Sequence, residues 1–435
     1  MFVNHIRLIR AALIIGPLLI SLPTWGRDPL TLVDAQGRAL ERSRQLIAQD
    51  AAIFASREMA VSAGQLPDPV LKLGVDNLPI DGADRFNLSR DFMTMRRVGV
   101  MQEMVPNDKR QLKSERFERE AEKSLGEKNI VIAAIQRDTA LAWLDRYYAE
   151  AMASAIAELA KQARLEIGAA ESAYRSGRGS QADVFAAKSA LAAIEDRASE
   201  ISRRVLSAKI ALTRWSGDAA EAPLAGLPEM SVIPLQALTI EVDLENHPEI
   251  VILNKQGEIA ATESRLAQAN TKTDWSWEVA FQQRGPAYSN MVSIGVSVPL
   301  QWDRKSRQDR EVAAKQAMVE EARAKRDEML RARVAEVRTM VAEWDNGRDR
   351  RNRYQSELLP LAKERTQAML AAYRGGKTSL AEVLAAWRSE TDTYLQALQL
   401  DLEIARLWAQ INFIFPNNSM TPLSNALSKP FKGPK

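Results

Sequence analysis

The sequence contains one fifteen-residue motif twice. The stretch from Ala173 to Ala187 returns 199 residues later between Ala372 and Ala386, and nine of the fifteen aligned positions are identical. In both copies a long helical pattern stops at glycine and resumes at once, which is typical of a turn between two antiparallel helices. We therefore interpret the chain as one unit written twice, and its fold has to accommodate two equivalent halves.

The helical patterns around the motif also repeat. Apolar residues three and four positions apart, as on a supercoiled seam, occur in both halves at an offset of 200: Ile130, Ala134, Leu141 and Leu144, and then Leu330, Val334, Val341 and Trp344. The patterns predict a helix from Leu30 to Ala63, a long helix from Pro106 to Tyr174, a return helix from Gln181 to Leu212, and a helix from Pro248 to Ala269.

Each half also contains two candidate strands in which every second residue is apolar. They are Val70–Asp76, Val98–Val105, Trp275–Gln282 and Val292–Pro299, the second being the least regular. Lys72, Asp76 and Glu278 fall on the polar faces. A strand that is apolar on one face and polar on the other separates two different environments.

The amino-acid composition is consistent with long helices, and it argues against several classes of partner and site. Only 6% of the 435 residues are aromatic and 26% are charged, a mixture more typical of long helices than of compact globules. The formal net charge of +3 gives no reason to expect a nucleic-acid partner. With no cysteine and only His5 and His247, we expect neither disulfides nor a histidine metal centre, and we predict no cofactor and no metal site.

The N-terminus has the pattern of a secretory signal peptide. Arg7 and Arg10 precede a short apolar run from Ala11 to Leu22, and a plausible cleavage site follows at Gly26. A membrane anchor is the alternative, but a spanning helix needs roughly 20 apolar residues. The predicted divisions of the chain are a signal peptide at 1–26, a first structural repeat at 27–215, a linker at 216–237, a second repeat at 238–416 and an irregular C-terminal tail at 417–435.

The strands favour a barrel in a membrane. Their alternation suits a strand between lipid and a wet interior, although a half-buried strand of a soluble sheet has the same pattern. Two such hairpins spliced to long helices have no soluble core to cover, four strands cannot close a barrel, and open edges are not tolerated in lipid. Several chains must therefore contribute to one barrel, which makes this an α+β membrane protein. Three chains, with four strands each, give a twelve-stranded β-barrel, and their twelve helices give a hollow coiled-coil barrel.

With this architecture, residues 30–416 resemble the TolC-like outer-membrane efflux channels. The resemblance rests on the repeat order, the helix start at Pro248, the paired hairpin turns and the strand that ends at Leu300. Residues 64–79 are similar to the heavy-metal branch of that family, the CzcC and CusC relatives. The resemblance implies a homotrimer whose twelve-stranded β-barrel lies in outer-membrane lipid and continues into a long periplasmic α-helical coiled-coil barrel. It also implies a periplasmic adaptor (membrane fusion protein) and an inner-membrane RND pump, with no catalysis by this chain.

The resemblance also implies a gate at the two turns. The acidic family position of the first turn corresponds to Asp183, the gate tyrosine of the second turn to Tyr373, and an acidic pore-facing position to Glu382. A phenol that donates to a carboxylate makes a strong but breakable contact, and a threefold ring of carboxylates favours cations. Asp183 and Glu382 could instead serve only as helix N-terminal residues that complement the helix dipole.

The gate departs from the family pattern at two positions. Thr378 replaces the family arginine, which leaves Arg374 or Lys377 as substitutes, and Ala385 stands where many relatives have a second acidic residue. Tyr174 is the first-turn equivalent of the gate tyrosine. The predicted gate therefore comprises Asp183, Tyr373, Glu382, Tyr174 and Arg374.

The glycine-rich turns are the predicted docking surface for the adaptor, because small exposed residues let a partner helix come close. These positions are Ser176, Gly177, Arg178, Gly179, Gly375, Gly376, Lys377 and Thr378. Glycine could also be present only to permit a tight turn. The second turn lacks the spacing and the preceding strand of a phosphate-binding loop.

Met93, Met95, Met101 and Met104 are soft ligands of the kind that copper prefers, but their position around one strand equally suits the lining of a barrel or pore. The expected function is a passive exit duct for heavy-metal cations. The alternatives are a duct for drug efflux or type I secretion, or a periplasmic coiled-coil adaptor or scaffold.

Overall fold

The computed structural model describes residues 28–177, 179–235 and 239–417. In the first half, two helices are followed by two strands and two further helices: α1 (Leu32–Arg42), α2 (Arg44–Ala63), β1 (Val70–Asp76), β2 (Met95–Met104), α3 (Asn107–Arg175) and α4 (Gln181–Ser216). A 3₁₀-helix at Gly217–Glu221 opens the linker. The predicted signal peptide and residues 418–435 of the predicted tail lie outside the described residues.

The second half has the same order of elements. They are α5 (Ile240–Glu245), α6 (Pro248–Ala269), β3 (Trp275–Gln283), β4 (Met291–Ser297), α7 (Gln308–Arg353), α8 (Leu359–Arg374) and α9 (Leu380–Asn412). The long helical hairpins are therefore α3 with α4, and α7 and α8 with α9. The two fifteen-residue motifs lie at the turns of these hairpins.

The predicted single helix from Leu30 to Ala63 is two helices. Ser43 is extended between α1 and α2, and its hydroxyl accepts a hydrogen bond from the Leu46 N–H at 3.3 Å. The Ser43 N–H donates to the Leu40 carbonyl at 3.2 Å, which closes α1. Serine is a favoured N-cap, whereas the apolar spacing runs across this position without a break. The helical prediction was therefore correct in type and wrong in continuity.

The four strands form one antiparallel sheet in chain order, with β1 and β4 at its edges. One face carries exposed apolar side chains from all four strands: Leu71, Leu73, Val75, Val98, Val100, Val279, Phe281, Val292, Ile294 and Val296. The β1–β2 and β3–β4 loops lie at one end of the sheet, and the helices connect at the other. The sheet is thus an open structure with an uncovered apolar face.

The helices pack beside one another, and their largest apolar core surrounds the middle of α3. Trp143 is fully buried there, and its indole N–H donates to the Leu30 carbonyl at 3.0 Å. Leu30 forms a parallel bridge with Leu224 of the linker, and Arg146 donates to the Ala220 carbonyl at 2.5 Å. These contacts hold the linker against the hairpins. No helix within the described ranges is both long enough and apolar enough to span a membrane.

The first arms of the two helical hairpins, α3 in one and α7 with α8 in the other, differ at one point. α3 is continuous over 69 residues, whereas a π-helix at Tyr354–Leu358 separates α7 from α8. Pro360 lies in the first turn of α8. Proline has no N–H to donate, and its ring clashes with the preceding helical turn. A wider π-turn just before a proline is one way in which a helix can accommodate both effects.

Candidate functional site

The first hairpin turn is built by a glycine and a capping box. Gly177 has a φ of 71°, in the left-handed region that favours glycine. The Ser180 hydroxyl accepts the Asp183 N–H at 3.2 Å, and the Asp183 carboxylate accepts the Ser180 hydroxyl at 2.7 Å and its backbone N–H at 3.0 Å. These hydrogen bonds, that of the hydroxyl first, lower the pKa of Asp183. This carboxylate therefore caps α4, as one of the two interpretations of the sequence expected.

The second turn has a similar backbone but a different acidic group. Gly376 has a φ of 72°, and the Ser379 hydroxyl accepts the Glu382 N–H at 3.3 Å. The Glu382 side chain does not return a hydrogen bond to Ser379, and it is exposed without a polar partner in the described part of the chain. Glu382 thus has a free carboxylate, whereas the carboxylate of Asp183 is engaged.

The two tyrosines of the predicted gate lie in different surroundings. Tyr373 packs on a small apolar cluster that joins the ends of both hairpins, composed of Ala170, Val184 and Leu380. Tyr174 is 49% exposed. Among the described residues of one chain, neither phenol is hydrogen-bonded to Asp183 or Glu382. A phenol–carboxylate contact at the turns would therefore have to form between chains.

Arg374 lies near an acidic residue that the sequence analysis missed. Glu166 is half-buried on α3, where burial raises its pKa and the positive charge of Arg374 partly offsets that rise. Ala163 and Ala170 are buried on the same helix. A glutamate between them, at helical spacing along a buried stripe, was the signal that could have found it.

The predicted docking positions are mostly accessible. Ser176, Gly177, Gly375, Gly376 and Lys377 are exposed, and Gly179 and Thr378 are half-buried. Arg178 lies outside the described residues. The Thr378 hydroxyl is covered and has no hydrogen-bond partner within the described ranges. The turns therefore present mainly backbone and small side chains to a partner.

The polar face of the sheet carries a charge network. Lys72 Nζ lies 2.5 Å from the Glu278 carboxylate, and Arg97 lies 3.7 Å from Glu278 and 3.8 Å from Asp76. The network joins β1, β2 and β3. The sequence placed three of these residues on polar faces, but it could not show that they meet, because strand order and register are tertiary properties.

The four methionines do not converge on one site. Met95 and Met101 lie on the polar face of β2, Met104 alternates to the opposite face, and Met93 is in the preceding loop. Within the described ranges, no group of three or more His, Asp or Glu side chains could hold a metal ion. The structure therefore brings together turn residues and sheet charges, and it does not bring together a methionine site.

This combination of a half-polar open sheet and two long helical hairpins defines a known class of fold. The outer-membrane channel OprN superposes with a TM-score of 0.74 at 13% identity, over 89% of this chain and 90% of that one. The outer membrane protein VceC of Vibrio cholerae gives 0.72 at 18% identity, over 88% and 95% of the two chains. The transmembrane channel CusC gives 0.73 at 15% identity, over 88% and 91%.

The similarity to known proteins lies in the three-dimensional structure and not in the amino-acid sequence. No protein-family model matches this chain, and no curated protein sequence matches it either. The match nevertheless covers nearly the full length of both partners in each structural comparison. The chain therefore has the fold of these outer-membrane channel proteins.

Proposed function

We propose that this chain is the outer-membrane exit duct of an export assembly, a TolC-like channel that works as a homotrimer and catalyses no reaction. The open sheet carries this proposal, because within the described part of the chain both of its edges are unpaired and one face is largely apolar and exposed. Lipid does not tolerate open strand edges. Pairing of β1 with β4 of the next chain removes them, and three chains make a barrel of twelve strands.

Aromatic residues at both ends of the sheet support the membrane position. Trp275 begins β3, and Trp302, which is 89% exposed, follows β4 at the same end. Phe86 and Tyr288 are exposed in the loops at the opposite end. Outer-membrane barrels have an apolar band between two such aromatic girdles. The charge network around Glu278 then faces the lumen.

We place the gate where the hairpin turns of three chains meet. The free carboxylates of Glu382 would form a threefold acidic ring that favours cations. Asp183 already caps its own helix, so its bond to a phenol of a neighbouring chain would use its remaining acceptor capacity. Docking of a partner on the exposed turns would separate these contacts and open the duct.

The partners of the proposed duct are a periplasmic adaptor and an inner-membrane RND pump, and the proposed cargo is heavy-metal cations. The cargo assignment rests on the resemblance of residues 64–79 to the heavy-metal branch. The fold itself is shared with channels of several names and does not discriminate between metal, drug and protein cargo. The pump, rather than the duct, would select the cargo.

Extraction and conductance test the channel assignment. The full chain, expressed with its N-terminal segment, should require detergent for extraction, run as a trimer and give discrete conductance steps in planar bilayers. A chain that is soluble without detergent and monomeric would contradict the proposal and favour a periplasmic scaffold.

Metal sensitivity tests the cargo separately. Deletion of the gene should sensitise the host to at least one of zinc, cobalt, cadmium and copper, and the full-length gene should restore growth. A deletion strain with full resistance to all four metals would reject the metal cargo while leaving the duct assignment intact.

A further inference from the structure

Arg96 is the only charged residue on the apolar face of the four strands. Arg97 alternates to the polar face, where it joins the network of Glu278, so that Arg96 points to the opposite side. The other residues of this face are apolar or are glutamine: Leu71, Leu73, Val75, Val98, Val100, Gln102, Met104, Trp275, Trp277, Val279, Phe281, Gln283, Val292, Ile294 and Val296.

The guanidinium of Arg96 has no polar partner among the described residues. It takes part in no hydrogen bond and no ion pair within the described ranges, and its Nε–H is covered without an acceptor. The Nε–H of the neighbouring Arg97 also has no hydrogen-bond acceptor, but the guanidinium of Arg97 has the carboxylates of both Asp76 and Glu278 within 3.8 Å. A guanidinium carries five donors and stays protonated at any physiological pH. An unpaired one on a lipid-facing surface therefore needs an anionic partner from outside the chain.

The position of Arg96 in the sheet indicates at which depth of the membrane that partner would lie. β2 begins at Met95, next to the β1–β2 loop, so Arg96 lies one residue inside the end of the sheet that is remote from the helices. Its cross-strand neighbours are Val75 and Gln283. With the helices in the periplasm, this end faces outward. A lipid-facing arginine is least unfavourable at this end of a barrel strand, at the boundary between hydrocarbon and headgroups.

We propose that Arg96 binds a phosphate group of a phosphorylated glycolipid in the outer leaflet. A planar guanidinium matches phosphate oxygens with two parallel hydrogen bonds, and the apolar neighbours Val75 and Val98 leave the acyl chains a surface to pack on. The inference rests on the proposed barrel, because only that function places this face in lipid. It adds a binding site that the export function does not require.

Lipid A retention tests this site. The trimer is freed of lipid, incubated in detergent with bisphosphorylated lipid A, and the lipid A bound per chain is measured by native mass spectrometry. We expect Arg96→Gln to weaken the apparent affinity about tenfold, the size of one charge-assisted hydrogen bond. Arg96→Lys should lose less affinity for lipid A than Arg96→Gln, because lysine keeps the positive charge although it lacks the planar guanidinium that forms two parallel hydrogen bonds. Lipid A without phosphates should bind the wild type as weakly as bisphosphorylated lipid A binds Arg96→Gln.

Arg350→Gln is the matched control, because Arg350 is exposed on α7 without an ion pair in the described chain and its loss gives the same change in net charge. It should bind lipid A like the wild type. Equal binding by wild type and Arg96→Gln overturns the inference. So does inorganic phosphate that binds as tightly as lipid A, since the site would then take a free anion. A soluble monomer overturns both proposals, whereas an inserted trimer with unchanged lipid A binding overturns only this one.

Discussion

At the scale of single residues, Gly126 and Gly168 of α3 allow the effect of close packing on stability to be distinguished from the effect of helix propensity. A Cβ on Gly126 would come within 2.8 Å of Ile252 Cγ1 on α6, whereas a Cβ on Gly168 would have nothing within 4 Å. We expect Gly126→Ala to destabilise the protein, because overpacking costs about 1–3 kcal/mol and exceeds the roughly 1 kcal/mol gained from alanine.

Gly168→Ala is the control, and it should stabilise the protein by about 1 kcal/mol or leave it unchanged. Thermal unfolding of the detergent-solubilised protein, followed by circular dichroism at the helical band, measures both variants. Equal behaviour of the two alanines would show that α3 and α6 do not approach as closely as the structure has them.

His247 is a second residue with a specific and testable environment. Its Nδ1 accepts the Glu249 N–H at 3.3 Å and so caps α6, and its ring packs edge-on against Phe415. Burial lowers the pKa of His247, and Arg333 lowers it further, while Glu249 and Glu336 act in the opposite direction. The neutral ring is therefore the form that the fold requires.

This environment predicts a loss of stability in mild acid. The unfolded chain, with a histidine pKa near 6.5, binds a proton more readily than the folded chain does. The contribution of His247 to the free energy of unfolding is thus complete above about pH 6.5. It declines as the pH falls below that value, by at most about 1.4 kcal/mol per pH unit. His247→Asn keeps an N-cap acceptor without the titration. Unfolding between pH 7.5 and 5 should give a flatter profile for the variant, and parallel profiles would contradict this role.

At the scale of elements, the sequence predicted the helices and strands where their periodicity is clear, whereas the irregular second strand runs from Met95 to Met104 and not from Val98 to Val105. β1, α6 and the turns between the long helices lie where the patterns placed them. The break at Ser43 was missed because a capping hydroxyl does not disturb the apolar spacing. The salt bridge between Lys72 and Glu278 could not be predicted, since it joins residues 206 apart that only strand order brings together.

The π-helix before Pro360 gives a prediction for one element. If the proline imposes it, Pro360→Ala should let α7 and α8 join as one α-helix. Stability should then rise by up to about 3 kcal/mol, the helix-interior penalty of proline. Hydrogen exchange of the amides at Tyr354–Leu358 should slow, because a continuous helix protects them better than the π-turn does.

The reverse substitution is the control for this prediction. Ala160 lies 200 positions before Pro360 and is buried in the uninterrupted α3. Ala160→Pro should cost about 3 kcal/mol or more and accelerate exchange in the preceding turn. Unchanged exchange at Tyr354–Leu358 in Pro360→Ala would assign the π-helix to packing against α9, where the Tyr354 hydroxyl lies 3.4 Å from Gln396 Oε1.

At the scale of the whole molecule, the sheet is the part that a single chain leaves incomplete. The helical hairpins surround buried cores of their own, but among the described residues nothing pairs with the two edges of the sheet or covers its apolar face. Closure by neighbouring chains would satisfy the edges and lipid would cover the face. In the proposed trimer, the same closure would bring the hairpin turns of three chains together.

Cysteine cross-linking tests this closure, since the natural chain has no cysteine. Gly74 on β1 and Gly295 on β4 both lie on the polar face with open space around them. In one chain three strand spacings, about 14 Å, separate β1 from β4, beyond the Cα distance of about 7 Å that a disulfide allows. Gly74→Cys combined with Gly295→Cys, or with cysteine at Ser293 or Ser297 to sample the register, should give covalent dimers and trimers and no larger species. Each single variant should stay uncross-linked, and a ladder that continues past three chains would show that the sheet edges pair in an open series instead of a closed barrel.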